Sequence, residues 1–287
     1  MTIERVGFVG LGNMGRVLAA NLVDSGFDVV SHDMAGSEHS PPGASFVSTV
    51  EELAAEADTI VCSLPDGAAS EQVAGAIARA EGRRAASVVD TSTIGVTAAR
   101  SVDGLLRAAA IGYVDAPVSG GVAGARARTL SIMYAGPEPV CAAVEPVLAG
   151  LSDRRRHVGE VAGLGQALKL ANNFLSAVAL AATSEAVAFS VSMGLDIEVV
   201  LEVLNASSGQ SQATTDKFPN HVLTGRYAAG FANSLMAKDL RLYLEAAAAR
   251  SDATTTIGAV TASVWERFAD AEPGADFTRI YPFLAGT

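Results

Sequence analysis

The chain has 287 residues, 49% of them hydrophobic, and carries 31 acidic against 20 basic side chains for a formal net charge of −11. That length makes about two domains of ~100–200 residues each and buries a large core, which excludes disorder, a collagen-like repeat and a disulfide-stapled miniprotein. The acidic balance excludes a general nucleic-acid binder, whose phosphate contacts need a Lys/Arg face, and an anionic small substrate would need a local basic pocket.

In chain order, short apolar runs at 6–9, 28–31, 59–63, 87–90, 113–115 and 130–134 read as strands. Helical patterns lie between them, for example at 16–25, 51–57 and 98–110. Alternating β and α with apolar strands predicts an α/β Rossmann-type N-terminal domain with a doubly wound, mostly parallel sheet. After residue 159 the pattern changes to long helices at about 165–193, 197–206, 233–250 and 255–270. The expected organisation is a dinucleotide-binding domain over 1–162 joined by a long helix to an all-α substrate and oligomerisation domain over 163–287. The long helix is apolar around most of its circumference, so it is expected to be enclosed on nearly all sides. Lys169, Asn172, Asn173, Ser176 and Glu185 interrupt it, which reads as a buried helix and not a membrane span.

Cys62 and Cys141 read as buried thiols in a reducing compartment. The four histidines show no ligand spacing, so no metal site is expected. The opening MTIERVGFVG has no charged segment followed by a long apolar run. A soluble, cytoplasmic protein is the expectation.

Directly after the first strand comes Gly10-Leu11-Gly12-Asn13-Met14-Gly15, a GxGxxG opening a helix. The first glycine permits the tight turn, the second lets backbone approach a pyrophosphate, and the third allows helix and sheet to pack closely. The helix N-terminus favours the phosphate charge. Asp33 ends the second strand, 23 residues beyond Gly10, where a carboxylate accepts ribose hydroxyls and repels a 2′-phosphate. No arginine follows within 34–40, so NAD is expected over NADP.

Lys169 and Asn173 are four residues apart and share one face of the long helix, among Leu168, Leu170, Ala171, Phe174 and Leu175. Desolvation lowers a lysine pKa and suits the amine to proton exchange near neutrality. The alternative is a snorkelling lysine near the helix start. The chain has only three lysines against 17 arginines, so a lysine here points to a group that must be able to lose its proton.

With these motifs stand Ser63-Leu64-Pro65, Asp90-Thr91-Ser92-Thr93-Ile94, Asp115-Ala116-Pro117-Val118-Ser119-Gly120-Gly121, Gly165-Gln166 ahead of Lys169, and Lys238-Asp239-Leu240. In this order, over essentially the whole length, they resemble the β-hydroxyacid dehydrogenases, the family of 3-hydroxyisobutyrate dehydrogenase and tartronate semialdehyde reductase. The resemblance implies an oxidoreductase that moves a hydride between NAD(H) and a small 3-hydroxy acid or its semialdehyde. It implies Lys169 as general acid/base and Asn173 as a substrate-holding group. Ser119, Gly120 and Gly121 would receive the substrate carboxylate, Leu64, Pro65 and Thr93 would contact the cofactor, and Lys238 would close over cofactor and substrate. The active site would then lie between the domains, whose closure would gate turnover. Taken singly, Ser119-Gly120-Gly121 is an ordinary loop, Pro65 a strand terminator and Lys238-Asp239 a solvated pair; the joint pattern favours the functional reading.

Two positions depart from the family pattern. Arg128 stands where the family often has glycine before Thr129-Leu130, and Gly95-Val96-Thr97 replaces the usual proline-containing turn. Both are expected to reshape the pocket, while Arg126 reads as a solvated arginine. The rivals are an imine reductase, expected to lack a lysine at position 169, and a nicotinamide-binding regulator without chemistry. A 6-phosphogluconate dehydrogenase has a much larger helical domain. Self-association as a homodimer or homotetramer is expected from the Ala-rich helices.

Overall fold

A computed structural model describes residues 5–286. The chain divides into two compact units, one ending at Lys169 and the other starting at Leu170.

The first unit alternates strands and helices: β1 (Arg5–Val9), α1 (Gly15–Asp24), β2 (Asp28–His32), β3 (Ser45–Phe46), α2 (Val50–Glu56), β4 (Thr59–Cys62), α3 (Gly67–Arg79), β5 (Ser87–Asp90), α4 (Val96–Ala108) and β6 (Gly112–Asp115). There follow β7 (Val118–Ser119), α5 (Gly121–Arg126), β8 (Ser131–Ala135), α6 (Glu138–Leu151) and β9 (Arg154–Gly159). The strand order is β3-β2-β1-β4-β5-β6-β8-β7, with β9 pairing β8. The first six strands run parallel, whereas β8 pairs antiparallel with β6 and β7. Chain progress reverses between β1 and β4, and open α/β sheets bind ligands beyond the carboxyl ends of such a switch point.

Alternation places successive strand residues in opposite cores. Phe8, Val61 and Val89 pack on one face with Leu18, Leu22, Val144 and Leu148 of α1 and α6. Ile60, Cys62 and Val88 pack on the other with Ile77, Val102 and Leu106 of α3 and α4. A sheet buried on both faces needs apolar residues at consecutive positions, which is why these strands read as unbroken apolar runs. Thr49 and Glu52 form a reciprocal capping box at α2, and Asp66 caps α3 by accepting from the Ala69 N–H at 2.9 Å.

The long helix α7 (Leu164–Ser192) starts in the first unit and runs on into the second. The second unit continues with α8 (Ile197–Asn205), a π-helical stretch (Ala213–Val222), α9 (Asn233–Ala248), α10 (Thr256–Ala271) and α11 (Ile280–Ala285). Its core gathers Leu180, Val187, Phe218, Met236, Trp265 and Phe268. The Trp265 indole donates to the Ala177 carbonyl at 3.3 Å. The enclosure expected for the long helix is not achieved within one chain: Leu168, Leu175 and Phe189 are 46%, 64% and 67% exposed. Its neighbours cover one stripe only, and the opposite stripe is equally apolar. By length and composition α7 is also long and apolar enough to cross a membrane.

Candidate active site

The site is built where strands end and helices begin. Gly10 N donates to the His32 carbonyl at 3.0 Å, tying the glycine loop to the end of β2. A Cβ on Gly10 would fall inside contact distance of the Ser63 carbonyl, and one on Gly15 against the carbonyl of Gly10. These two glycines serve backbone packing. A Cβ on Gly12 would meet nothing within 4 Å, so the fold itself does not require glycine there. Close approach of a ligand to that backbone does require it.

Asp33 stands beside the loop. Its Oδ2 accepts from Leu11 N at 2.5 Å and its Oδ1 from Ala35 N at 2.8 Å, and each oxygen keeps a further lone pair for a hydroxyl. The carboxylate is thereby fixed rather than free to rotate away. Asn13 and Met14 complete the loop. No side chain caps α1, but Arg16 N and Val17 N donate to the carbonyls of Gly12 and Met14, so the N–H groups of the glycine loop ahead of them are the ones a ligand would use. This donor set and the bare Gly12 fit a dinucleotide.

The turn after β4 is stitched to the end of β1 and to the turn after β5. Ser63 N donates to Val9 O at 2.9 Å, and Leu64 N donates to Ser92 Oγ at 2.7 Å. Pro65 follows, exposed, and Thr93 lies half-buried one residue past Ser92. Beneath them the buried Asp90 accepts from Ser70 Oγ at 2.9 Å and Ser92 N at 3.0 Å. Burial pushes its carboxyl up, against the downward pull of those donors. Burial likewise raises the Cys62 thiol, with the Asp90 charge adding to it, and raises Cys141 to about 11. Both thiols are free of disulfides and buried, and burial disfavours the thiolate form.

Ser119 ends β7, and Gly120 and Gly121 continue at φ +130° and +66°. Arg126 is exposed on α5. Arg128 has a left-handed backbone, φ +56°, the conformation for which the family's glycine is suited. Its guanidinium instead binds Ser25 Oγ at 2.7 Å and the Ala149 carbonyl at 3.1 Å. The departure from glycine therefore joins α1 to the end of α6.

Lys169 is only 7% exposed. Its helix begins against the sheet: Gln166 N donates to Asp115 Oδ2 at 2.9 Å, and Gln166 is itself fully buried. Burial pushes Asp115 up to about 7, despite the N–H groups of Gln166 and Gly163 that favour its charged form. In the second unit, Asn173 Nδ2 donates to Asp239 Oδ2 at 2.6 Å, and Lys238 Nζ lies 3.5 Å from Asp239 Oδ1. Lys238-Asp239 is thus no solvated pair, since Asp239 is 3% exposed and anchors both predicted side chains. Sequence reasoning quoted Ser92, Asp115, Gln166 and Asp239 within motifs but assigned them no role, because each acts through residues distant in sequence. Among the described residues no cluster of His, Cys, Asp or Glu could hold a metal.

A doubly wound sheet with a glycine loop at its switch point and an acid ending β2, followed by a helical unit, defines a nicotinamide-dinucleotide oxidoreductase. Residues 5–159 match the family described as the NAD binding domain of 6-phosphogluconate dehydrogenase. Residues 163–284 match that described as NAD-binding of NADP-dependent 3-hydroxyisobutyrate dehydrogenase. The chain is 35% identical over 284 residues to a probable 3-hydroxyisobutyrate dehydrogenase of Mycobacterium tuberculosis, covering 96% of each. It is 36% identical over 248 residues to the 2-(hydroxymethyl)glutarate dehydrogenase of Eubacterium barkeri, covering 84% of this chain and 82% of that one. The solved Mycobacterium tuberculosis 3-hydroxyisobutyrate dehydrogenase with L-serine superposes with a TM-score of 0.91 at 33% identity, covering 99% of each. An imine reductase from Myxococcus stipitatus shares the fold at a TM-score of 0.67 and 22% identity, covering 99% of this chain and 100% of that one. The chain belongs to the β-hydroxyacid dehydrogenase family.

Proposed function

We propose that the enzyme interconverts a small 3-hydroxy acid and its semialdehyde, with NAD in preference to NADP. The observation that carries this reading is Lys169, an amine 7% exposed on an apolar helix in a chain with only three lysines. A lysine at such a place, unlike an arginine, is able to exchange a proton. The names of the relatives point to a shared substrate chemistry: 3-hydroxyisobutyrate and 2-(hydroxymethyl)glutarate each carry a hydroxymethyl group on the carbon next to a carboxylate.

When bound, the nicotinamide supplies the acceptor or donor of the hydride. The chain supplies the rest. Lys169 Nζ takes the hydroxyl proton as the C–H electron pair departs, and returns it in the reverse direction. Ser119 Oγ and the N–H groups of Gly120 and Gly121 receive the carboxylate, and Lys238 is, by the family resemblance, a further substrate- and cofactor-binding residue. Asn173, steadied by Asp239, orients the substrate. Asp33 with its fixed carboxylate underlies the NAD preference, and Leu64, Pro65 and Thr93 line the cofactor's path. In the second unit the exposed apolar side chains Leu175 and Phe189 of α7 and Val199 and Val203 of α8 support self-association into a homodimer or homotetramer.

The test is nicotinamide absorbance with NAD and NADP against 3-hydroxyisobutyrate, 3-hydroxypropionate, glycerate, L-serine, threonate and 4-hydroxybutyrate, for the native enzyme and Lys169→Ala. The native enzyme should turn over at least one hydroxymethyl acid and prefer NAD. Lys169→Ala should lose turnover with NAD affinity retained by calorimetry. Substantial activity in Lys169→Ala would overturn the proton-transfer assignment.

A further inference from the structure

Gln166 is a fully buried amide whose hydrogen bonds converge on one turn. Its Oε1 accepts from Ile94 N at 2.9 Å and from Gly95 N at 3.2 Å, and its Nε2 donates to the Ser92 carbonyl at 3.0 Å. One side chain therefore closes the whole Ser92–Gly95 turn, while its main-chain N–H is held by Asp115. Both sides of the joint are shaped for close approach. Gly95 has a left-handed φ of +87°, and a Cβ on Gly165 would stand 2.5 Å from the Met133 carbonyl and 2.9 Å from the Asp115 carboxylate. The chemistry singles out glutamine. A carboxylate at this position would oppose the Ser92 carbonyl with a lone pair, and asparagine is one methylene too short to span the same atoms.

The turn that Gln166 holds contains Thr93 and receives the Leu64 N–H through Ser92 Oγ. Gln166 lies three residues before Lys169, so the two share a helix face. We infer that Gln166 is a positioning residue, which locks the cofactor-side turn 92–95 to the first turns of the lysine helix and so fixes where the Lys169 amine stands relative to the bound nicotinamide. This rests on the proton-transfer reading of Lys169. Rotation of α7 about its start, or slippage of the turn, would move the proton-exchanging group without removing it, and a misplacement of about 1 Å can cost on the order of 100-fold in rate.

The experiment uses the full-length enzyme with Gln166→Ala and Gln166→Glu. Amide hydrogen exchange by mass spectrometry on the cofactor-free protein should show faster exchange confined to the 92–96 segment and the start of α7. Steady-state kinetics per folded site should show kcat lowered about 10–100-fold in Gln166→Ala, with substrate KM within a few-fold. The primary deuterium isotope effect on kcat should rise as the chemical step becomes limiting. Gln166→Glu, which keeps the two accepted N–H groups and loses the donated one, should fall between native and Gln166→Ala, and it carries the test if the alanine variant fails to fold. A kcat per folded site within threefold of native in the folded variants, or unchanged exchange over 92–96, would overturn the inference. Lys169→Ala run in parallel separates the two readings. Activity there sinks the proton-transfer assignment, whereas an inactive Lys169→Ala beside normal Gln166 variants sinks only the positioning role.

Discussion

Replacing Gly12 by alanine separates the ligand-binding duty of the glycine loop from its packing duty. A Cβ at Gly12 meets no heavy atom within 4 Å, and the residue lies outside the left-handed region. The methyl group therefore costs the cofactor-free fold no steric energy, while the stiffer unfolded chain raises stability by about 0.4–1 kcal/mol. At ~2–4 °C per kcal/mol, the cofactor-free melting temperature should rise by about 1–4 °C. The same change at Gly10 or Gly15 drives a Cβ into a backbone carbonyl and should lower stability by about 3 kcal/mol. With NAD at about 100 times its Kd, the native protein gains about 2.7 kcal/mol from binding. In Gly12→Ala that gain should vanish, because the methyl stands where the pyrophosphate must approach the backbone. Paired thermal melts with and without NAD, backed by calorimetric titration, read both quantities. A Gly12→Ala protein that kept the full NAD-induced shift would refute the phosphate-cradle assignment. One that melted well below native without cofactor would refute the steric argument.

Asp115 makes stability pH-dependent. Its carboxyl, pushed by burial to about 7, holds in the folded state a proton that an unfolded chain releases near ~3.9. Its contribution to stability therefore falls as pH rises from about 4 to about 7, by up to about 4 kcal/mol over about three pH units. Asp115→Asn, titrated with urea across that range, should gain on the native protein as pH rises; a constant difference between the two would rule this out. At Arg128 two effects oppose each other: alanine loses the guanidinium bonds to Ser25 and Ala149 and keeps the left-handed strain, whereas glycine loses the bonds and relieves it. Arg128→Ala should destabilise by about 2 kcal/mol and Arg128→Gly by about 1 kcal/mol less. Equal melting temperatures for the two variants would show that the strain is absent.

What the sequence by itself determined is local. The apolar runs of β1, β4 and β5, the glycine loop between β1 and α1, and Asp33 at the end of β2 are all legible because their causes lie within a few residues. Period and turn chemistry are enough to read them. The burial of Lys169 was legible for the same reason, from its apolar helical neighbours. What only the tertiary structure decided is non-local. β9, spelled Arg-Arg-Arg-His-Val-Gly, has no apolar alternation and becomes a strand by pairing with β8 at the sheet edge. Arg128 could be recognised as unusual, but its compensation comes from Ser25, 103 residues away. The side-chain partners of Gln166 lie 71 to 74 residues back, and Asp239 lies 66 residues from the Asn173 it anchors. A hydrogen bond across such separations leaves no periodic trace in the chain, since it depends on where two backbones arrive after the intervening elements have packed. The uncovered stripe of α7 is of the same kind: sequence shows that the helix is apolar around most of its circumference, and only packing decides which side its own chain covers.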